Sequence, residues 1–223
     1  TGAGRIPNSV AVGSFDGDTF PDLVVGFGGI GQADSVQVLS GTGTGSFAAP
    51  VAVLAGNDPW AVVTGNFIGG PSTDIAVANK NSNTVSIVEG TGPGTFAAPV
   101  AFPVGAQPNA IVAADLNGDS RADLVTANRD GNDLSVLLAN DSGSFAAATS
   151  VPVGNNPIAL AVGNLGGTAA LDLAAADDIS DGTVTVLLGD GDGAFSALPP
   201  VVTGNGAGAV AIGDLNADSF ADV

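Results

Sequence analysis

The sequence contains no cysteine, histidine, tyrosine or methionine among its 223 residues. Without cysteine it has no disulfide or thiolate site, and the redox compartment is not indicated. Lys80 and Glu89 are the only lysine and the only glutamate. General acid–base and nucleophilic catalysis therefore lack most of the side chains on which they depend. We expect a chain that is not an enzyme.

Positive charge is also scarce. Lys80 and three arginines stand against 22 acidic residues, which gives a formal net charge of −18. Such a charge repels nucleic-acid phosphates and anionic lipid headgroups, so we expect no nucleic-acid partner. No apolar run approaches the roughly 18 residues of a membrane-spanning helix, so we also expect no membrane insertion.

What the sequence does contain is a nine-residue acidic loop, complete at residues 115–123 and at residues 214–222. Oxygen-bearing side chains stand at positions 1, 3, 5 and 9, and the main-chain carbonyl of position 7 can turn inward. Calcium takes six to eight such oxygens. A further loop at residues 14–22 begins with Ser14 but keeps acids at positions 3, 5 and 9. We therefore predict two to three calcium sites.

The predicted metal ligands, with position 7 contributing only its carbonyl, are Asp115, Asn117, Asp119, Arg121, Asp123, Asp214, Asn216, Asp218, Phe220, Asp222, Asp16, Asp18, Phe20 and Asp22. Two more loops, residues 66–74 and 164–172, lack acids at positions 3 and 5. We expect these two loops to have lost the metal and kept the turn. The Asp190-Gly-Asp192 segment lacks a ninth-position acid, and we interpret it as a hairpin turn.

The loops mark a repeat of about 50 residues. Aspartate recurs at the ninth position, a Gly-x-Gly-x-Gly-x-Phe motif or a weaker copy follows it, and proline precedes four of the five loops. The predicted units are residues 7–57, 58–106, 107–155, 156–206 and 207–223, within one region spanning residues 1–223.

Each complete unit holds about four short apolar segments bounded by glycine, asparagine and aspartate. In the third unit the fourth predicted strand runs from Phe145 to Val151. Four strands in about 50 residues are typical of a β-propeller blade, so the predicted fold class is all-β, with about four and a half blades. A β-solenoid is the alternative. We expect the marker residues Phe47, Phe96, Phe145 and Phe195 to be buried between blades.

The acidic loop together with the Gly-x-Gly-x-Gly-x-Phe motif resembles the FG-GAP/VCBS repeat family, which includes the integrin α-subunit head. The resemblance implies a propeller, commonly of seven blades, with calcium between the first two strands of a blade. It also implies an extracellular or cell-surface location. We expect the remaining blades to lie in further sequence, with an open array or closure by a partner chain as alternatives.

Two binding functions are compatible with these features. The first is a calcium-stabilised adhesion or interaction scaffold that presents loops to a protein partner. The second is a lectin-like propeller, or an accessory module of a polysaccharide-active protein, in which the single tryptophan, Trp60, stacks on a sugar ring. A lectin would repeat its aromatic contacts in each blade, whereas Trp60 occurs once. We therefore expect the scaffold, with a protein or glycan ligand on the cell surface.

Overall fold

The computed structural model describes residues 6–28, 34–141, 143–178, 182–204, 206–218 and 220–223. These residues form 21 β-strands and no helix, which confirms the all-β class. No helix capable of crossing a membrane occurs among them. The chain divides into two compact units: Thr1–Pro103 with Asp141–Ser144, and Val104–Asn140 with Phe145–Val223.

The first compact unit contains two four-stranded antiparallel sheets. The first sheet has the order β1-β2-β3-β4 and the second has the order β5-β6-β7-β10, so each follows the chain from strand to neighbouring strand. Strands β8 and β9 form a separate two-stranded hairpin. The strands are β1 (Ile6–Gly13), β2 (Asp22–Gly28), β3 (Ser35–Leu39), β4 (Val51–Leu54), β5 (Pro59–Gly65), β6 (Asp74–Asn79), β7 (Thr84–Val88), β8 (Gly90–Gly92), β9 (Thr95–Phe96) and β10 (Val100–Pro103).

The second compact unit repeats this arrangement. One sheet has the order β11-β12-β13-β16, and the other has the order β17-β18-β19-β20, with β21 also paired to β19. The strands are β11 (Pro108–Ala114), β12 (Asp123–Asn128), β13 (Asp133–Leu137), β14 (Ala139–Asn140), β15 (Ser144–Phe145), β16 (Thr149–Pro152), β17 (Pro157–Gly163), β18 (Asp172–Asp177), β19 (Thr183–Gly189), β20 (Phe195–Ala197) and β21 (Val201–Val202). An isolated bridge between Gly213 and Asp222 begins a further sheet.

The second strand of each repeat lies inside its sheet and carries the core. All six residues are buried in β6, in β12 and in β18. Between their polar first and last residues, β6 and β18 contain only small and aliphatic residues, and β12 has Thr126 as the one exception. The strands thus do not alternate between apolar and polar, as is expected when both faces of a strand are covered. Each of them begins with the ninth-position aspartate of its loop, so the ends of these three loops lie in buried strands.

In the second and third repeats the Gly-rich motif forms a separate two-stranded hairpin before the outer strand, whereas in the fourth repeat Phe195 begins β20, which pairs directly with β19. In the second repeat, Gly90 pairs with Phe96, and β10 starts only at Val100. The predicted fourth strand of the third repeat was therefore wrong at its start. Phe145 ends the two-residue strand β15, and the outer strand β16 begins at Thr149.

The marker phenylalanines are not equally buried. Phe145 is 6% exposed, and Phe96 and Phe195 pack against the two main hydrophobic clusters. Phe96 also lies with its ring centroid 5.8 Å from that of Phe15. Phe47 is 44% exposed, so the prediction that it is buried was wrong. Its motif is closed by the isolated bridge between Gly41 and Phe47 and by backbone hydrogen bonds from Thr42 to Ser46 and from Ala48 to Ser40.

Candidate metal-binding loops

Each of the first four loops connects the first two strands of a repeat, and the fifth lies between Gly213 and Asp222 of the isolated bridge. The strand pairing ends on the ninth-position aspartate, for example at Gly13 with Asp22 and at Ala114 with Asp123. The backbone turns through the left-handed region at position 4, where Gly118 has φ = 77°. The fifth loop makes the same turn with Ala217, at φ = 64°. A residue with a Cβ is strained in this region, so glycine suits position 4 better.

The first loop brings three carboxylates together. Ligand oxygens of Asp16, Asp18 and Asp22 all lie within 4.8 Å of one another. Within the part of the chain that the structure describes, this is the one acidic or histidine group of three with that geometry. Asp18 is exposed, Asp16 is half-buried and Asp22 is buried, so the group opens to solvent on one side. Oxygens of this kind and spacing suit a hard cation such as calcium.

The third loop is organised differently. Asp115 accepts hydrogen bonds from the backbone N–H groups of Gly118, Asp119 and Ser120, at 2.8 to 3.1 Å. Nη2 of Arg121 lies 2.6 Å from Oδ2 of Asp119 and forms an ion pair with it. Asp115, Asp119 and Asp123 are thus held in one loop, but they do not form a carboxylate group as close as that of the first loop. The guanidinium of Arg121 is therefore paired with Asp119, which is one of the predicted calcium ligands.

The fifth loop repeats the backbone contacts of the third. Asp214 accepts from the N–H groups of Ala217 and Asp218, and Asn216 also accepts from that of Asp218. Asp218 accepts from the N–H of Phe220 at 2.8 Å. The side chain at position 7 is a phenylalanine that is 69% exposed, so no ion pair corresponds to the one in the third loop.

The ninth-position aspartate also accepts backbone hydrogen bonds that the sequence did not predict. Oδ2 of Asp123 accepts from the N–H of Leu116 at 2.9 Å, and Oδ1 accepts from the N–H of Ala139 at 2.7 Å. The carboxylate therefore ties the start of its own loop to the beginning of the Gly-rich hairpin, 16 residues further along the chain. We call this pair of contacts the aspartate clamp.

The same clamp occurs in loops that lack the other metal ligands. Oδ1 of Asp74 accepts from Gly90, and Oδ1 of Asp172 accepts from Gly189, both at 2.9 Å. Oδ1 of Asp22 accepts from Gly41 at 2.8 Å. The clamp therefore belongs to the fold and does not depend on a metal. The sequence contains an indication of this role, because the ninth-position aspartate is the only acid that the second and fourth loops keep.

In the second and fourth loops, the side-chain amide of the asparagine at position 1 forms a hydrogen bond across the loop. Nδ2 of Asn66 donates to the carbonyl of Gly70 at 2.8 Å, and Nδ2 of Asn164 donates to that of Thr168. In both cases the side chain at position 1 bridges to position 5. The Asp190-Gly-Asp192 segment is also closed internally, since Oδ1 of Asp190 accepts from the backbone of Asp192 and of Ala194.

Burial raises the pKa of two carboxyls of the third loop, but the net pKa shift differs in direction between them. Burial raises the pKa of Asp123, and the charges of Asp119 and Asp115 add to this, although the clamp hydrogen bonds lower it. Burial also raises the pKa of Asp119, but hydrogen bonds from the Arg121 backbone and from Asn117, with the guanidinium charge, outweigh it. The net pKa of Asp119 is lowered, so this carboxylate stays ionised beside Arg121.

Trp60 lies on β5, away from these loops, and is paired with a cation. Nζ of Lys80 is 3.7 Å from the centroid of the Trp60 ring. An ammonium at this distance makes a cation–π contact. Part of the ring also lies over Gly28, where an added Cβ would come within 2.6 Å of it. The Trp60 ring therefore already contacts Lys80 and the backbone at Gly28.

Comparison with known proteins identifies one repeat directly. Residues 72–126 match the family model described as an FG-GAP-like repeat, and the resemblance is confirmed over this segment. The segment runs from the end of the second loop, through its Gly-rich hairpin, to the third loop and β12. No curated protein sequence matches the chain.

Three solved structures share the fold at low sequence identity. A functionally unknown protein from Desulfotomaculum acetoxidans has a TM-score of 0.63 and 18% identity, over 87% of this chain and 56% of that one. A protein from Lactobacillus plantarum has a TM-score of 0.61 and 18% identity, over 88% and 56%. BBS1N, in a crystal with ARL6DN, has a TM-score of 0.59 and 17% identity, over 89% and 58%. The chain thus spans little more than half the length of each.

Proposed function

We propose that this chain, which carries an FG-GAP-like repeat at residues 72–126, is part of a calcium-stabilised β-propeller that presents its loops to a protein partner. In this proposal each four-stranded sheet is one blade. The repeated strand order and the resemblance to FG-GAP repeats support it. The site is structural and not catalytic, in keeping with the absence of histidine, cysteine and tyrosine.

The observation that carries the calcium proposal is the convergence of Asp16, Asp18 and Asp22 in the first loop. Asp22 is fixed by the clamp, and its Oδ2 accepts from the N–H groups of both Phe15 and Asp16, but Oδ1, which accepts from Gly41, has a second lone-pair direction that can face a cation. The third and fifth loops carry oxygens at all four positions, and we include them as further sites. A cation there would relieve repulsion within a chain whose charge is −18.

Calcium bound only by the folded chain would stabilise it by about 2.7 kcal/mol at a hundredfold excess over the dissociation constant. The test is metal analysis of protein purified without chelators, followed by thermal melting in EDTA and in calcium. We expect bound calcium and a melting temperature that falls in EDTA and recovers on addition of calcium. Equal melting temperatures in both conditions would refute the calcium sites.

A protein partner is supported by two observations. The BBS1N structure was solved in complex with ARL6DN, so a chain of similar fold binds a protein. The Trp60 ring holds Lys80 against it, which leaves less of the ring for stacking on a sugar, as the lectin alternative requires. We also propose a location outside the cell or at its surface, which is what the resemblance to FG-GAP/VCBS repeats implies. A glycan array tests the alternative, since a reproducible saccharide signal there favours the lectin.

A further inference from the structure

The Gly-rich hairpin of the second repeat contacts the acidic loop of the first repeat. Both lie in the first compact unit. Pro93 and Gly94 join β8 to β9, and we call them the hairpin tip. The N–H of Gly94 donates a hydrogen bond of 2.7 Å to the carbonyl of Phe15, the second residue of the first loop. Pro93 lies over Gly17, where an added Cβ would be 3.5 Å from its Cγ.

This contact holds the peptide group between Phe15 and Asp16. Its carbonyl accepts from Gly94, and its N–H, which belongs to Asp16, donates to Oδ2 of Asp22 at 3.3 Å. The N–H of Phe15 donates to the same oxygen at 2.6 Å. Because a peptide group is planar, fixing both of its ends sets the direction in which the Asp16 side chain leaves the backbone. Asp16 and Asp22 are two of the three carboxylates that converge in this loop.

The second loop is approached in the same way by the hairpin of the third repeat. Gly143 lies two residues before its marker phenylalanine, as Gly94 does, and belongs to the first compact unit together with the second loop. An added Cβ at Gly143 would lie 2.6 Å from the carbonyl oxygen of Ile68, the third residue of that loop. Only a glycine fits so close to another backbone.

The hairpin of the fourth repeat makes a different contact. Its corresponding glycine, Gly193, lies against Leu138, since an added Cβ would come within 2.7 Å of that side chain. A groove of about 700 Å³ opens between this hairpin and the third loop, with Asp190 on one side and Leu116 on the other. The third loop, which faces this groove, does not bring its carboxylates as close together as the first loop does.

We infer that the hairpin tip of the second repeat, Pro93 and Gly94, is a positioning element for the metal ligands of the first loop. It supplies no ligand itself. It holds the Phe15–Asp16 peptide group so that Asp16 converges with Asp18 and Asp22. The cation is the calcium of the proposed function, on which this part of the inference rests, whereas the ordering of the loop by the tip holds without a metal.

The test is a variant that lacks Pro93 and Gly94. It keeps a three-residue turn between Gly90 and Phe96, a length that hairpins use. Amide hydrogen exchange is followed by mass spectrometry in EDTA, in peptides that cover residues 14–22. We expect exchange there to become about fivefold faster or more, since the loop loses a backbone hydrogen bond. Exchange within β2 should stay slow, which verifies that the sheet is intact.

Two further variants separate the tip contact from a general effect of altering a hairpin. Deletion of Asp192 and Gly193, the corresponding tip of the fourth repeat, should leave exchange at residues 14–22 unchanged. Pro93→Gly alters one exposed residue, so the fold is retained. It frees the turn and removes the packing on Gly17, and exchange in the first loop should rise about twofold. If the deletion also speeds exchange in β2, Pro93→Gly decides the question.

The same peptides report the affinity of each loop for calcium. The calcium concentration that gives half of the maximal protection at residues 14–22 should rise about fivefold or more in the variant without Pro93 and Gly94. The concentration for residues 115–123 should not change, because that loop lies in the other compact unit. A tip that acts only on overall stability would not shift the first loop alone.

Three results would overturn the inference: unchanged exchange of residues 14–22 in EDTA without Pro93 and Gly94, an equal rise on deletion of Asp192 and Gly193, or an unaltered calcium midpoint at the first loop. If calcium fails to protect the first loop even in the wild type, the calcium site proposed there is refuted. The exchange in EDTA still shows whether the tip orders the loop, so the two failures are distinguishable.

Discussion

The hydroxyl of Thr183 donates a hydrogen bond of 2.6 Å to Oδ2 of Asp177, at the end of the fully buried strand β18. The other oxygen, Oδ1, has no hydrogen-bond partner among the described residues, and neither has the buried hydroxyl of Thr185. The second and third repeats have Asn79 and Asn128 at this place, opposite the proline that starts the first strand. Their amides donate to serine hydroxyls at 2.9 Å.

We predict that Asp177→Asn stabilises the protein near neutral pH. The asparagine removes a buried charge, and its amide can donate to the Thr185 hydroxyl as its counterparts do in the other repeats. Removing one unsatisfied buried polar group is worth about 1–3 kcal/mol. The measurement is the free energy of unfolding in urea at pH 7, for the wild type and the variant.

The gain from Asp177→Asn should depend on pH. Burial raises the pKa of Asp177, so the protonated acid is the form that the fold favours. Its contribution to stability is complete below the unfolded pKa of about 3.9 and is lost as the pH rises through the folded pKa. The variant should therefore gain most at neutral pH and little near pH 3. Asp178→Asn, at an exposed ion pair with Arg129, is the control, and a gain there of equal size would contradict the explanation.

The aspartate clamp gives a second prediction, which is best tested in a loop without metal ligands. Asp74 accepts from the N–H groups of Phe67, Ile68 and Gly90, and its side chain is 0% exposed. Asp74→Ala leaves these three donors without their acceptor, and we expect a loss of about 3 kcal/mol or more. The loss should be the same in EDTA and in calcium. Asp130→Ala, at an exposed turn, is the matched control and should cost little.

Much of this architecture is predictable because its markers coincide with strand ends. The prolines at 59, 108 and 157 begin β5, β11 and β17, and the ninth-position aspartates begin the second strands. Proline suits the first residue of a strand, where no ladder hydrogen bond is lost, and so it marks a boundary reliably. The 50-residue period then places the remaining strands by analogy between repeats.

The contacts that the sequence did not predict join residues far apart in the chain or depend on side-chain direction. The clamp from Asp22 to Gly41 spans 19 residues, and the spacing of the loop alone does not indicate it. The pairing of Arg121 with Asp119 depends on the rotamers of the two side chains, and the loop pattern assigns position 7 only a main-chain carbonyl. Phe47 has the same motif as Phe96, but only packing decides which of the two rings is covered.

The first loop gives a prediction for calcium. Asp18→Asn removes one carboxylate charge, while its side-chain oxygen can still accept the N–H of Phe20, a hydrogen bond of 2.7 Å in the wild type. The turn is therefore kept, and the melting temperature in EDTA should be unchanged. Because affinity follows the number of charged ligands, calcium binding at this loop should weaken about tenfold or more. Titration calorimetry measures this, with Asp130→Asn as the control, and an unaltered affinity would show that Asp18 is not a ligand.

The ion pair in the third loop gives the last prediction. Arg121 holds Oδ2 of Asp119 at 2.6 Å, so a cation entering this loop competes with a guanidinium for the carboxylate. Arg121→Ala removes the competitor and keeps the position-7 carbonyl. We expect calcium to bind the third loop several times more tightly, since a nearby positive charge opposes cation binding. Arg129→Ala loses an exposed pair with Asp178 in the same compact unit and should leave calcium affinity unchanged. Weaker binding in Arg121→Ala would mean that the guanidinium orders the loop instead of competing for it.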